Sequence, residues 1–425
     1  MKSVCIIGAT LPSLALASEL SLSYDVAIFE SKNSTLSIDS HSALSSLKLS
    51  SECIKTTLNE GFGGTSELWT GGLVRSIDSD RRIISATTLE ALYPIAEALI
   101  QLDSDTRIDE TGYSRQSTFV LDTPLRGSLI PLRKSIKVHL NSKVTSISKL
   151  HGGKSQIRYI RKDTSSIQDF DICIIAAGTL GTLSLLRSSS LITLPEQLKL
   201  SVHPKFSVGC IILKRPVRLE EIMGDYCFFP SGYMYSRYLL PESSPTSNHT
   251  FSHALRFSSK RTRLLTRLLR HTPRHALCRN LCSKSLQALD SVLVPLLKNF
   301  PLNEKVDIEL FINDYRNPSY VTSDGQKISI ADQSEYVSRL FNHVDTFCKA
   351  HFKNNILKQK LSLKKSTLLH SHLCSSLWEY REDIQSLEEQ NIYCLSASVL
   401  PPGYYNPMYE LLNLATQICQ DLCRG

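Results

Sequence analysis

The apolar positions of this chain fall into two rhythms. Val4–Ile7, Val26–Phe29 and Ile172–Ala177 are short unbroken runs, as expected of parallel strands covered on both faces. Between the first two, Leu14, Leu16, Ala17 and Leu20 form a helical stripe, so residues 4–29 predict strand, helix, strand. The same logic predicts short strands at Val138–Leu140, Lys143–Ile147 and Gln156–Arg161. After Ile172–Ala177 it predicts a helix over Leu180–Leu186, with Gly181 near its start. Further along, Tyr226–Phe229 and Lys305–Phe311 read as strands, and Leu286–Leu297, Glu335–His351 and Met408–Leu422 as helices. Serine-rich stretches at Ser31–Ser51 and Ser243–Ser252 read as loops. No internal repeat is visible.

Glycines mark the turns between these elements. Gly8 follows the first strand at once, and Glu30 ends the second, 22 positions later. A dinucleotide fold places its tight turn and its ribose-binding acid at about that separation. The full glycine pattern, G-x-G-x-x-G, is softened here: Gly8-Ala9-Thr10-Leu11-Pro12-Ser13 puts Thr10 and Ser13 at the second and third glycine positions. A βαβ unit that binds nothing stays open as the alternative. So does a secretory signal, because Lys2, the apolar run and Ala15-Leu16-Ala17 imitate one. Cleavage there would remove the first strand of a coherent unit. A second loop crowds Gly61, Gly63, Gly64, Gly71 and Gly72 into twelve residues around Thr65, Ser66 and Trp69. With few side chains to bury, it suits wrapping a ligand with backbone N–H groups, or else is a plain flexible loop. Ala177-Gly178 begins a third strand-to-helix turn, which would bring another helix N-terminus to the same ligand, or is a routine connection.

In order along the chain, these segments resemble the glucose–methanol–choline (GMC) family of FAD-dependent oxidoreductases. The resemblance is carried by Gly63-Gly64-Thr65-Ser66-Glu67-Leu68-Trp69-Thr70-Gly71-Gly72, by Ala176-Ala177-Gly178-Thr179-Leu180-Gly181-Thr182 and by His203-Pro204. It continues in the stretch from Asn391 through Ser398 and Pro401 to Asn406-Pro407, and Leu89–Pro94 resembles the segment before a connecting helix. About half the chain is covered, and residues 210–360 show no likeness. The implied fold class is α/β, with a discontinuous Rossmann-like FAD-binding domain (1–75, 136–210 and 385–425) and a connecting, flavin-covering segment (76–135). A sheet-plus-helices substrate domain (211–384) completes it.

The resemblance also implies roles. FAD would be held by Gly8, Thr10, Ser13, Glu30, Gly63, Gly64, Thr65, Ser66, Trp69, Val144, Ala177, Gly178, Ser396, Asn406 and Pro407. Ser396 stands where the family has an acid, which makes three softened contacts with Thr10 and Ser13. Family chemistry is alcohol oxidation, with a histidine in an H-x-x-G-T segment as base. His372-Leu373-Cys374-Ser375-Ser376 matches that spacing without the glycine, making His372 the base and Asn406 its partner; His370 is the alternative base. A neutral imidazole suits the proton transfer, and a histidine with no catalytic part remains the other reading. The implied donor is a small-molecule alcohol or sugar, or the hydroxyl of a lipid-linked glycan, with the electron acceptor undefined. A non-catalytic or membrane-associated protein on a decayed flavoprotein fold is the rival function.

Composition changes this picture in one place only. With 42% hydrophobic and 21% charged residues, the 425-residue chain is ordinary globular material without an 18-residue apolar run. The 12 cysteines include two C-x3-C pairs, Cys278 with Cys282 and Cys419 with Cys423, neither at the C-x2-C zinc spacing, so no metal is expected. Reduced thiols in a cytoplasmic protein are. Charge, however, is concentrated. Residues 256–284 hold Arg256, Lys260, Arg261, Arg263, Arg267, Arg270, Arg274, Arg279 and Lys284 with no acid. Nine charges against a net +8 leave the rest of the chain at −1. Leu264, Leu265, Leu268 and Leu269 interleave with them, giving a basic amphipathic helix. It fits an anionic membrane surface, a phosphorylated substrate or a plain solvated face. No nucleic-acid motif accompanies it.

Overall fold

The computed structural model describes residues 1–32, 48–49, 62–64, 72–74, 114–121, 132–202, 205–218, 227–229, 232–240, 253–258, 305–312, 319–329, 331, 334–362, 373–374, 376–401 and 407–424. The chain opens with β1 (Ser3–Ile7), α1 (Leu11–Leu20) and β2 (Asp25–Phe29), and returns as β3 (Lys137–His139). A meander follows, β4 (Ser142–Lys149), β5 (Ser155–Arg161) and β6 (Thr164–Phe170), then β7 (Ile172–Ile175) and α2 (Gly178–Ser188). Later come α3 (Phe341–Phe352), α4 (Arg381–Glu388), β8 (Ile392–Cys394) and α5 (Pro407–Arg424).

Strands β8, β7, β1, β2 and β3 form, in that order, an all-parallel sheet. The protein is thus mixed α/β, as the apolar runs require. Val4, Cys5, Ile6, Ile28, Cys173, Ile174 and Ile175 are almost wholly buried, because both faces of the sheet are covered. Helix α1 is apolar on more than one side for a related reason: it packs between β2 and α5, burying Leu11, Leu14, Leu16, Ala17 and Leu20. Pro12 falls in its first turn, where a missing N–H costs no hydrogen bond. The meander packs on the sheet through rings: Phe29 lies 4.5 Å from His139, 4.9 Å from Tyr159 and 5.9 Å from Phe170. Strand β6 has no counterpart in the apolar pattern, since it alternates between exposed and half-buried positions until Phe170.

A larger, mostly antiparallel sheet runs Ile356–Leu361, Lys205–Leu213, Lys305–Phe311, His253–Ser258, Gly232–Leu240, Ser114–Leu121 and Gly72–Val74. Its own core, around Val208, Ile211, Phe257, Val306, Ile308 and Leu310, is closed by Val344, Phe347 and Cys348 of α3. Where sequence predicted one helix over Glu335–His351, the chain forms Ser334–Arg339 and then α3, broken at Leu340, whose N–H bonds Val337 instead of continuing the α pattern. The predicted basic helix over 256–284 is corrected at its start. Arg256 lies in the strand His253–Ser258, between inward-facing Leu255 and Phe257, and its Nε is 3.7 Å from Glu309 Oε2 on the neighbouring strand. Residues 259–284, with the predicted helix Leu286–Leu297, lie outside the described residues. Within the Ser31–Ser51 stretch, Lys48–Leu49 pairs in parallel with Lys327–Ile328.

Two polar contacts pin the starts of the parallel strands. Asp171 Oδ2 accepts from both the N–H and the hydroxyl of Ser3 at 2.8 Å, which holds its carboxyl below the usual range. Glu388, at the end of α4, behaves oppositely: burial first, then Asp421 of α5, push its pKa up to about 7. The unfolded carboxyl titrates near 4.5, so ionising Glu388 costs the fold stability progressively as pH rises from about 4.5 to 7. Glu388→Gln should therefore leave stability unchanged at pH 4 and raise it at pH 8. After screening at this partly exposed site is allowed for, the gain should be about 1–2 kcal/mol. Urea unfolding at the two pH values measures this, and equal gains at both would remove the electrostatic explanation.

Among the described residues no helix is long and apolar enough to cross a membrane, and no group of three or more His, Cys, Asp or Glu side chains could hold a metal. The thiols of Cys5, Cys173, Cys210, Cys348, Cys374, Cys394, Cys419 and Cys423 are all free.

Candidate functional site

The C-terminal ends of β1, β2, β7 and β8 share one edge of the parallel sheet, where such sheets bind ligands. At its centre, Gly8 leaves β1 with φ +104°. Its N–H donates to Phe29 O at 2.9 Å, and a Cβ there would stand 2.4 Å from Ala176 O. Only glycine lets the turn pass between β2 and β7. Beside it, Glu30 is 7% exposed. Its Oε2 accepts from Ala9 N–H at 3.0 Å, and its Oε1 accepts from the Ser31 hydroxyl and Lys32 N–H at 3.0 and 3.2 Å. Its two oxygens offer about four acceptor positions, so a ribose hydroxyl can still be taken.

The second glycine loop runs against the first. Gly63 N–H donates to Ala9 O at 2.6 Å, Gly63 pairs in parallel with Thr10, and a Cβ on Gly64 would lie 3.3 Å from Thr10 Cγ2. Two loops distant in sequence thus meet at the N-terminus of α1. Thr10 is its extended N-cap, with its N–H on Ser13 Oγ at 2.8 Å, and Ser13 Oγ in turn donates to Gly8 O at 2.8 Å. The serine at the third glycine position therefore braces the turn from inside.

On the other side of β1, the Ala177–Gly178 turn starts α2. Gly178 has φ +66° and nothing within 4 Å of a would-be Cβ, and Ala177 offers no side-chain cap. An uncapped helix start facing open space can receive a polar ligand. Ser396, just beyond β8, is 2% exposed, and its hydroxyl accepts from Ser398 N–H at 3.3 Å and the Ser398 hydroxyl at 3.0 Å. Val144 lies on β4, opposite Tyr159 and next to a register shift, and Pro407 is buried at the start of α5.

His372, His370, Asn406, Thr65, Ser66, Trp69, His203 and Pro204 lie outside the described residues. Their immediate neighbours do not. Leu373 O accepts a hydrogen bond from the buried Thr179 hydroxyl at the start of α2. Cys374 and Ser201 exchange two backbone bonds of 3.0 Å, and Leu377 N–H donates to Ser398 O at 2.8 Å. The segment just after His372 is thus fastened to the Ala-Ala-Gly-Thr turn, to the residue two before His203, and to the Ser396–Ser398 turn. Ser376 is 3% exposed, and its hydroxyl finds no partner among the described residues. Sequence reasoning missed Thr179, which sits inside the Ala176–Thr182 stretch, and Ser201, two residues before His203. It also missed His139, whose imidazole stacks on Phe29 at the end of β3. Burial, then Arg161 and Lys137, hold that imidazole below its ordinary value.

No family model matches the chain, and no curated protein is similar to it. Among solved structures, that of pyridoxine 4-oxidase from Mesorbium loti is similar over 100% of both chains, with a TM-score of 0.62 and 12% identity. At that identity the likeness concerns the fold alone: the mixed α/β arrangement with its parallel sheet is similar to that of the oxidase, and agrees at that level with the glucose–methanol–choline resemblance.

Proposed function

We propose that the chain is an FAD-dependent oxidoreductase acting on the CH–OH group of a small alcohol or sugar. The observation carrying this reading is the convergence of the cofactor turns and residues Leu373, Cys374 and Leu377, just after His372 in sequence, on one sheet edge, through the Thr179, Ser201 and Ser398 contacts. The residues present fit the cofactor. Glu30 is a buried carboxylate for the adenosine ribose, and the start of α1 with Gly63 and Gly64 suits the pyrophosphate. Ala177–Gly178 leaves room at the start of α2. Thr65, Ser66, Trp69, Val144, Asn406 and Pro407 would complete the enclosure.

When bound, FAD supplies the acceptor for the hydride leaving the alcohol carbon, which becomes a carbonyl. His372, unprotonated, takes the hydroxyl proton, and Asn406 orients the same oxygen. The rival, a decayed flavoprotein fold, draws on Ser396, whose hydroxyl is spent within its own turn where the family has an acid.

Titration of the purified chain with FAD, followed by anaerobic mixing with panels of alcohols and sugars, separates the two. The expected result is a yellow protein whose oxidised-flavin absorbance is bleached by some alcohol; a chain that takes up no FAD sinks the proposal. Glu30→Ala removes a hydrogen bond to a charged acceptor and should weaken FAD retention roughly tenfold to a hundredfold. Unchanged retention by the folded mutant would reject the ribose role.

A further inference from the structure

We propose that Thr179 is a positioning residue. Its hydroxyl fixes the Leu373–Cys374 peptide, the second after His372, to the first turn of α2, and so helps to set where that histidine stands relative to the Ala177–Gly178 cofactor turn. The inference rests on the flavoenzyme reading and adds to it a residue outside the cofactor and base assignments.

Thr179 is 7% exposed and sits one residue after Gly178. Near a helix start a threonine hydroxyl ordinarily turns to local backbone. Here it reaches across 194 positions to Leu373 O. Leu373 is 5% exposed and Cys374 is fully buried, so water cannot replace the threonine as donor. The Cys374–Ser201 bridge fixes Cys374 through its own N–H and C=O. The Leu373 carbonyl shares one planar peptide with the Cys374 N–H, so that peptide is held from two sides, by Ser201 O and by the Thr179 hydroxyl. Leu373 Cα lies in that same plane and is joined to His372 by the next peptide, so a shift of the plane carries the histidine backbone with it. A misplacement of about 1 Å at a reacting group can cost on the order of a hundredfold in rate.

The test uses the full chain, Thr179→Val (same shape, no donor) and Thr179→Ser (donor kept). Without cofactor, alkylation of Cys374 is followed by peptide mass spectrometry. With FAD bound, anaerobic bleaching is followed across pH at saturating alcohol. Thr179→Val should hold as much FAD as the parent, expose Cys374 to alkylation roughly tenfold faster, and bleach at least about tenfold more slowly. Its apparent KM should be little changed, and Thr179→Ser should return both rates to within about twofold of the parent. Thr179→Val bleaching at the parental rate overturns the inference, as does slower bleaching with Cys374 as protected as before. A parent that binds no FAD, or is bleached by no alcohol, overturns the flavoenzyme reading and this inference together. A parental enzyme with an indifferent Thr179 overturns this inference alone.

Discussion

Replacing His372 with alanine should slow flavin reduction by roughly 10²–10⁴-fold while the protein keeps its fold and its FAD. The expected size follows from losing a positioned base: the alcohol must then lose its proton to water while its carbon loses hydride. The same assignment fixes a pH dependence. The imidazole acts only when neutral, so the parental rate should rise with pH as the base loses its proton and level off once it is neutral. That rising limb should vanish in His372→Ala. Asn406→Ala should weaken the same step without moving the limb, because an amide orients the hydroxyl and does not titrate. His370→Ala is the internal control. If it, and not His372→Ala, removes the rate and the limb, the base is His370; if neither variant does, no histidine of this segment is the base.

How much of this was legible depends on whether a feature leaves a local pattern. The βαβ start was legible because parallel strands covered on both faces leave unbroken runs such as Val4–Ile7, and because Gly8 closes the first at a position no other residue fits. Strand β7 and helix α2 were legible for the same reason. Strand β6 was not: on the meander's edge it carries Ser165, Ser166 and Gln168, and only its pairing with β5 makes it a strand. Arg256 was misread because interleaved leucines follow it in sequence, whereas its own neighbours Leu255 and Phe257 alternate with it at the strand period. The site divides along the same line. Glu30 and the glycine turns stand at fixed offsets from an apolar run, so spacing finds them. The Thr179–Leu373 bond joins a hydroxyl to a backbone carbonyl 194 positions apart, and nothing in either residue's surroundings announces the other. Ser13 shows the reverse. Judged against the glycine pattern it looks like a loss, yet its hydroxyl takes up the Thr10 N–H and bonds Gly8 O, so the turn is closed by other means.

Gly8→Ala should destabilise the protein by about 2–6 kcal/mol and strip it of FAD. Two costs combine. The backbone at φ +104° is one that side-chain-bearing residues rarely adopt, costing about 1–3 kcal/mol. The new Cβ would also lie 2.4 Å from Ala176 O and 2.7 Å from Ala176 C, so β1 and β7 must part at the edge where the cofactor turns meet. Crowding of that kind in a packed interior costs about 1–3 kcal/mol more. Gly152 separates the two contributions. It has φ +92°, close to that of Gly8, but nothing lies within 4 Å of its would-be Cβ, so Gly152→Ala carries the backbone strain without the clash. Urea unfolding of both variants should show the larger loss at Gly8, and the difference between them measures the close approach. FAD titration should show the defect at Gly8 alone, since Gly152 lies in the turn between β4 and β5, away from the cofactor turns. Equal losses in the two variants would mean that the Ala176 carbonyl yields freely. Gly8 would then be required for its backbone angle and not for the passage it allows between β2 and β7.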